Sequence, residues 1–187
     1  MIQGKRIVLK ILEQQDIPEL FELLSNPDVS DMMLVDTSDM TQGNCYNYIA
    51  STPAGTHAHA YGIYEKTGGE LIGFVSITGI HPTNRAAHIK AVAITPLKWN
   101  EGYITETAEL IASLLFLDKN IRRVSGNSLA GNDASEYIYK KLGFKHEGTE
   151  RKAVFKSGSF VSRKNWGILK KEFDWSLFED NKESEDG

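Results

Sequence analysis

Three consecutive β-type runs between His57 and Ile94 are the feature that most constrains the fold of this chain. The stretch HAHAYGIYEKTGGELIGFVSITGI holds two alternating runs on either side of Gly68-Gly69, a pair of residues typical of a tight hairpin turn. A third run, from Ala86 to Ile94, continues the pattern. Because runs joined by short turns pair side by side, the sequence predicts a mostly antiparallel sheet at the centre of the protein.

The segments before this sheet predict one strand and two helices. Lys5 to Leu12 alternates and is rich in β-branched residues, as expected of an early strand. Asp16 is the predicted cap of a first helix, with Pro18 in the first turn and Glu19 at capping-box spacing. A second helix is predicted from Thr41 to Ala50.

The segments after the sheet predict two helices and three strands. A helix follows Ile94, with apolar residues on one face at Ile104, Ala108, Ile111, Ala112 and Leu115. The remaining predictions are a strand at IRRVSGN, a short helix capped by Asp133 with Glu136 and ended by Gly143, and two strands joined by Ser157-Gly158. The predicted order is β-α-α-β-β-β-α-β-α-β-β. The predicted fold class is therefore α+β, a mixed sheet of about seven strands with about four helices on both faces.

Length and charge restrict the domain organisation and the class of partner. We predict one domain over residues 1–176 and a disordered acidic tail over 177–187, because the end of the chain, EDNKESEDG, has no apolar anchor. No apolar run approaches 20 residues, so no membrane-spanning helix is predicted. No secretory leader is recognisable, and a cytoplasmic location is therefore expected. A net charge of −4 disfavours a nucleic-acid partner.

The strand-turn-helix segment ITPLKWNEGYITETAELI is a candidate anion site. The first amides of a helix lack intrahelical partners, and the peptide dipoles favour a negative charge there. Gly102, at the start of the helix, would let a phosphate approach the backbone closely. The turn lacks a P-loop, and no G-x-G-x-x-G follows a strand, so kinases and dinucleotide enzymes are disfavoured.

Two blocks of this sequence resemble the GNAT superfamily of acyl-CoA N-acyltransferases, and within it the RimJ/RimL-type branch. The first block is PLKWNEGYITET, which matches a pattern of the form P-x-x-W/Q-G-K-G-[YL]-x-T-E-A. The second is RVSGNSLAGNDASEYIYKKLGF, which matches R-V followed by N-x-x-S and a helix ending Y-x-K-L-G-F. With similar segments near both ends, the resemblance covers nearly the whole chain up to Trp175. It implies a GNAT fold and an acetyltransferase that uses acetyl-CoA as co-substrate.

The resemblance also implies which residues hold acetyl-CoA and which transfer protons. Tyr139 aligns with the tyrosine that donates a proton to the departing thiolate, and Asn132 aligns with a coenzyme-contacting asparagine. Two positions depart from the pattern, since Asn100 replaces a glycine and Glu101 replaces a cation. The implied coenzyme-binding set is Val92, Ala93, Ile94, Trp99, Asn100, Glu101, Gly102, Tyr103, Ile104, Thr105, Asn132, Ser135 and Tyr139.

The general base and the acceptor are less constrained by the sequence. His88 is the candidate base, because imidazole titrates in the range needed to deprotonate an amine, although a structural histidine is an equal alternative. No metal is expected. The acceptor is predicted to be a primary amine, namely a protein N-terminus, a polyamine or another small amine, selected by the segment from Asn26 to Thr56. A non-catalytic coenzyme A sensor is the alternative function, and a homodimer is one possible assembly.

Overall fold

The computed structural model describes residues 1–34, 37, 40–50 and 57–176, without the side chains of residues 46, 49 and 50. Its strands are β1 (Ile2–Gln3), β2 (Ile7–Ile11), β3 (His57–Glu65), β4 (Leu71–His81), β5 (Ala86–Ile94), β6 (Arg123–Leu129), β7 (Lys145–Lys156) and β8 (Ser159–Leu169). Its α-helices are α1 (Ile17–Ser25), α2 (Pro27–Ser30), α3 (Gln42–Ala50), α4 (Tyr103–Ala112) and α5 (Asp133–Lys141). The predicted acidic tail lies outside the described residues.

The described strands form one sheet in the order β1-β2-β3-β4-β5-β6-β8-β7. All neighbouring pairs are antiparallel except β5 and β6, which run parallel. The predicted α+β class, with helices on both faces, is confirmed. The predicted number of strands was one too low, because β1 is a two-residue strand that pairs only with β2 and is too short to show an alternating pattern.

Two separate cores bind the helices to opposite faces of this sheet. On one face Ile111 of α4 and Leu115 of the helical turn that follows it pack against strand residues such as Ile77 and Val124. On the other face Leu20 and Leu24 of α1 join Cys45 of α3 and Phe74 of β4. Cys45 is fully buried there, and burial raises the pKa of its thiol to about 11, so it is a packing residue. No helix in the described part of the chain is long and apolar enough to cross a bilayer.

Strands β5 and β6 separate part-way along their length. Their parallel pairing runs from Ala86 opposite Arg123 to Ile89 opposite Gly126 and then stops, although β5 continues to Ile94 and β6 to Leu129. The separation begins at a bulge. Ser76 of β4 pairs with Ala91 while the next residue, Ile77, pairs with Ile89, so Lys90 is one extra residue in β5. The last residues of β5 therefore have a free edge facing a cleft.

One predicted helix cap differs from the observed residue, and another stands at the predicted position without a side-chain bond to its helix. Asp16 precedes α1, but its Oδ2 accepts a hydrogen bond from the Glu13 amide at 2.8 Å and makes no bond to the helix. Asn132, not Asp133, caps α5, because its Oδ1 accepts a hydrogen bond from the Ser135 amide at 3.0 Å. Both residue types cap helices well, so only the backbone conformation decides between neighbouring candidates.

Candidate functional site

The cleft between β5 and β6 opens into a cavity of about 620 Å³ bounded by α4 and α5. Every residue in the coenzyme-binding set predicted from the sequence lines this cavity except Glu101, whose side chain is exposed. His88, the predicted base, does not line it either. The cavity thus brings together the two sequence blocks, residues 96–107 and 123–144, which are separated in the chain by 15 residues. Their roles in binding stay predictions.

The turn before α4 has a backbone shape that accounts for its residues. Asn100 (φ 64°) and Gly102 (φ 82°) both have left-handed conformations. Glycine adopts this conformation at little cost, and asparagine does so more readily than most other residues. Asn100 therefore satisfies the same backbone requirement as the glycine that the family pattern has at this position.

The first turn of α4 presents unpaired amides to the cavity. Gly102 caps the helix, and the first intrahelical bond is donated by the Glu106 amide to the Gly102 carbonyl at 3.1 Å. The amides of residues 103–105 precede that bond, so they have no acceptor within the helix. Together with the dipole of α4, they form a site suited to a phosphate group.

Arg6, on the far side of the turn, holds it in place. Its Nη1 donates to the Glu101 carbonyl at 2.8 Å, and its Nε donates to Glu106 Oε2 at 3.1 Å. Its guanidinium also lies 4.3 Å from the centre of the Tyr103 ring. Glu106 Oε1 in turn accepts the backbone amides of Arg6 and Ile7. Sequence reasoning missed Arg6, since nothing in the local pattern distinguishes it from any charged residue at the start of a strand.

The Tyr103 side chain connects the turn before α4 to Glu65, the last residue of β3. Its hydroxyl donates to Glu65, which also accepts from Lys98 Nζ at 3.0 Å. The Tyr103 hydroxyl and then Lys98 hold the pKa of the Glu65 carboxyl below its usual range. The Tyr103 side chain is only 5% exposed. A ligand in the cavity can therefore use the amide of this residue, but not its hydroxyl.

Tyr139 of α5 reaches the point where β5 and β6 separate. Its hydroxyl donates to the Asn127 carbonyl at 3.3 Å, and its ring stacks on Trp166 with centroids 5.4 Å apart. The ring lies directly on Gly126, where an added methyl group would overlap the hydroxyl and lie 2.9 Å from the ring carbon Cζ. Burial raises the pKa of Tyr139 well above its usual value, so its hydroxyl stays protonated.

His88 lies on the opposite side of the sheet from Tyr139. Its neighbours Ala87 and Ile89 pack on the α4 face, so alternation directs His88 to the other face. Its Nδ1 is 3.0 Å from Ser125 Oγ. Burial, and then the charge of Arg163, hold the pKa of His88 below its ordinary value of 6.5. The imidazole is therefore neutral at pH 7 and able to accept a proton.

At the end of the cleft nearest α5, the side chain of Asn132 is already hydrogen-bonded within the protein. The Asn132 side chain caps α5 and also donates through Nδ2 to the Met32 carbonyl at 3.3 Å. The amide that Asn132 caps is that of Ser135.

Among the residues that the structure describes, no group of three or more histidine, cysteine or acidic side chains is arranged to hold a metal ion.

The arrangement fits the coenzyme that the resemblance implies. Phosphate groups match the unpaired amides of α4, and an amide-bearing chain matches the free edge of β5 from Val92 to Ile94. The cavity walls between these two sites are mostly apolar side chains. A protonated hydroxyl, that of Tyr139, stands at the inner end of the cleft.

Comparison with known proteins agrees with this geometry. The sequence model of the family described as acetyltransferase (GNAT) domain matches residues 6–145. The uncharacterized N-acetyltransferase YoaA of Bacillus subtilis is 22% identical over 172 residues, which are 91% of this chain and 97% of that protein. The putative ribosomal N-acetyltransferase YdaF of the same organism is 24% identical over 106 residues, 57% of each chain.

Solved structures share the fold at low sequence identity. An acetyltransferase of the GNAT family from Bacillus anthracis has a TM-score of 0.75 and 19% identity, covering 91% of this chain and 99% of its own. Spermidine N-acetyltransferase from Vibrio cholerae, solved in complex with CoA and spermine, has a TM-score of 0.72 and 17% identity, covering 89% and 97%.

Proposed function

Because the chain belongs to the acetyltransferase (GNAT) domain family and is an acetyl-CoA-dependent N-acetyltransferase, we propose that it transfers the acetyl group directly to a primary amine while both substrates are bound. On its two sequence blocks we assign it to the RimJ/RimL-type branch. The observation that most supports direct transfer is the position of the Tyr139 hydroxyl, which lies where β5 and β6 separate. When bound, acetyl-CoA supplies a thioester carbonyl for the amine to attack.

The residues of α4 and β5 hold the coenzyme in this proposal. The amides of residues 103–105 bind its phosphates, and the free edge of β5 orients the chain that leads to the sulfur. Arg6 and Glu106 keep the turn rigid, so the amides are already aligned before binding. A site that is aligned beforehand loses less entropy on binding.

Tyr139 and His88 divide the two proton transfers between the faces of the sheet. Tyr139 Oη keeps its proton because burial disfavours the phenolate, and it is positioned to give that proton to the departing sulfur. His88 is neutral at pH 7, so its ring can take a proton from the amine directly or through water. In this proposal the acid and the base therefore act from opposite faces of the sheet.

The proposal is tested by binding and by turnover measured separately. Coenzyme A at about 100 times its Kd should raise the melting temperature by about 5–10 °C, because a ligand that binds only the folded state stabilises it by mass action. Thiol release from acetyl-CoA should then require an amine. No melting shift at millimolar ligand would reject coenzyme binding, whereas a shift without turnover on any amine would identify a sensor.

Replacing Glu101 with lysine should tighten coenzyme A binding about two- to fivefold at low ionic strength. The Glu101 side chain is exposed and does not line the cavity, so its effect on the phosphates is a long-range one that salt screens. Titrations at low and high salt measure this effect. Glu22→Lys, an equal charge change on α1, is the control and should leave affinity unchanged. An unchanged affinity for the Glu101 variant at low salt would show that this side chain does not affect the phosphate site.

Replacing His88 with glutamine should change the pH dependence of kcat/KM as well as its size. The acceptor is chosen with a high pKa, so that its own ionisation contributes a constant slope to the plot of log kcat/KM against pH. As pH falls through the lowered pKa of His88, protonation of this base should make the wild-type slope steeper by about one unit. The variant should lose this steepening and about 10²-fold in rate at neutral pH. His146→Gln, an exposed histidine on β7, is the control. A His88 variant that keeps the steepening would assign it to another group.

A further inference from the structure

One wall of the cavity is not used by the coenzyme in the proposed arrangement. The coenzyme sites lie on α4, on the free edge of β5 and at Tyr139. Another part of the lining comes from α2 and the residues that follow it. We call this part the α2 wall and define it as Val29, Met32, Met33 and Leu34.

The α2 wall belongs to the face of the sheet opposite α4. Val29 and Met33 are buried in the core that α1 and α3 form with Phe74 of the sheet. Ala91 of β5 packs against the same core and also lines the cavity. With the coenzyme held by α4, an amine that approaches the thioester from the other face passes along the α2 wall. This wall is therefore the part of the cavity that contacts the acceptor.

Hydrogen bonds from two directions hold the α2 wall against the cavity. Asn132 Nδ2, at the cap of α5, donates to the Met32 carbonyl at 3.3 Å. Lys156 Nζ, at the end of β7, donates to the Ser30 carbonyl at 2.6 Å and to the Met33 carbonyl at 2.9 Å. The wall is thus positioned before an acceptor binds, which reduces the entropy lost on binding.

The accessible surface of the α2 wall is apolar. Met32 is 45% exposed, although it lines the cavity, and Leu34 is half-buried. Apolar side chains that line an open cleft are typical of a surface that binds a ligand. Methionine is flexible, so it adapts to apolar groups of different shapes. An acceptor that covers Met32 and Leu34 removes apolar surface from water, which stabilises the complex.

The charges around the cavity do not match a polyamine. Among the residues that the structure describes, the charged side chains lining it are Lys90, Lys98 and Lys141, and no carboxylate lines it. Lys90 Nζ donates to the Tyr48 carbonyl of α3 and lies 4.5 Å from the centre of the Tyr48 ring, so its charge is on the face of the α2 wall. A second ammonium group on the acceptor would be repelled by Lys90.

We infer that the acceptor is a primary amine attached to an uncharged apolar group, and that this group packs on the α2 wall. The inference rests on the proposed N-acetyltransferase function and names the class of its substrate. The amine nitrogen bonds to the acetyl carbon as the carbon–sulfur bond breaks, the nitrogen loses one proton, and coenzyme A leaves as the thiol. Met32 is a specificity-determining residue of this reaction. Such an amine is either a small molecule or the N-terminus of a peptide with an apolar first residue, and the test separates these two sources.

Matched acceptors test the inference directly. The first series is propylamine, butylamine, pentylamine and hexylamine, and the second is pentylamine, 5-amino-1-pentanol and 1,5-diaminopentane. The kcat/KM values are measured with acetyl-CoA at one alkaline pH and corrected for the neutral fraction of the attacking amine. In the first series we expect a rise of up to about fourfold for each added methylene, which corresponds to about 0.8 kcal/mol per buried CH₂. In the second series pentylamine should exceed diaminopentane about tenfold or more, because the second ammonium must lose water without gaining a partner.

The Met32→Glu variant connects the preference to the α2 wall. A carboxylate at this position would attract the second ammonium, so the ratio of the pentylamine to the diaminopentane kcat/KM should fall about tenfold. Met32→Gln has a similar length without the charge and should change this ratio much less. Leu117→Glu adds the same charge at an exposed residue that does not line the cavity, and it should leave the ratio unchanged. The melting shift with coenzyme A shows whether each variant is folded. If Met32→Glu does not fold, the wild-type series still decides the inference.

The peptides Leu-Gly-Gly and Ser-Gly-Gly separate the two sources of the amine. Transfer to Leu-Gly-Gly above Ser-Gly-Gly, with little transfer to the alkylamines, would support the inference and assign the amine to a peptide N-terminus. Transfer to the alkylamines above both peptides would support it and assign the amine to a small molecule.

Other results would contradict the inference. Preference for diaminopentane or spermidine over pentylamine, for Ser-Gly-Gly over Leu-Gly-Gly, or no rise along the alkylamine series would overturn it and leave the N-acetyltransferase function intact. An unchanged ratio in a folded Met32→Glu variant would overturn the role of Met32. Coenzyme binding without transfer to any acceptor would overturn both the inference and the proposed function.

Discussion

Replacing Tyr139 with phenylalanine is expected to lower turnover at least about tenfold while coenzyme A affinity changes little. A positioned acid typically contributes a factor of about 10² to 10⁴, and phenylalanine removes only the hydroxyl that donates to Asn127. The ring keeps its stacking on Trp166 and its contact with Phe144, so the variant should fold normally. Loss of turnover with unchanged affinity is the pattern of an interaction that matters in the transition state.

Tyr137→Phe is the matched control for this experiment. Tyr137 lies on the same helix and is 64% exposed, so removal of its hydroxyl should leave turnover nearly unchanged. Circular dichroism and the coenzyme-induced melting shift show whether both variants are folded. Wild-type turnover in a folded Tyr139→Phe variant would reject the general-acid role and leave Tyr139 as a packing residue of α5.

Replacing Gly126 with alanine should produce a loss of turnover similar to that of the Tyr139 variant without touching a reactive group. The added methyl group would overlap the Tyr139 hydroxyl and crowd the ring, so the tyrosine must move away from the start of the cleft. A displaced acid no longer reaches the sulfur, and we expect turnover to fall about tenfold or more. Steady-state kinetics and a coenzyme titration measure the two effects separately.

The double variant Gly126→Ala/Tyr139→Phe distinguishes displacement of the acid from a general disturbance. If the methyl group acts by moving the Tyr139 hydroxyl, the double variant should be little slower than Tyr139→Phe alone, because that hydroxyl is already absent. Gly43→Ala adds a methyl group on α3, where it meets only Thr41 Oγ1 at 3.8 Å, and should be neutral. Losses that multiply in the double variant would contradict the displacement explanation.

The departures from the family pattern have different structural meanings. Asn100 replaces a glycine at a left-handed position that asparagine tolerates, so the turn keeps its shape. Glu101 replaces a cation, yet its backbone carbonyl, not its side chain, takes part in the turn by accepting from Arg6. Neither substitution removes an amide from the first turn of α4. The proposed phosphate site therefore survives both changes.

Local patterns in the sequence predicted most of the architecture correctly. The alternating run from Ala86 to Ile94 is β5 residue for residue, and the turns at Gly68-Gly69 and Ser157-Gly158 join the hairpins as expected. Such features depend on neighbouring residues, because turn geometry and side-chain alternation are properties of a few consecutive positions. Capping was predicted less well, because Asn132 and Asp133 are neighbouring candidates for the amides of α5, and the Asp16 carboxylate at the start of α1 accepts from Glu13 instead of the helix.

What the sequence by itself determined is the family, most of the helices and strands, and a set of residues that, except for Glu101, all line the cavity. What only the tertiary structure decided is how distant segments meet. Arg6 and Glu106 are 100 residues apart and join at the turn before α4, and Tyr139 reaches Gly126 because α5 packs over the separation of β5 and β6. These contacts depend on strand order and register, which are set by the burial of the whole sheet between two layers of helices, and no local pattern in the chain encodes them.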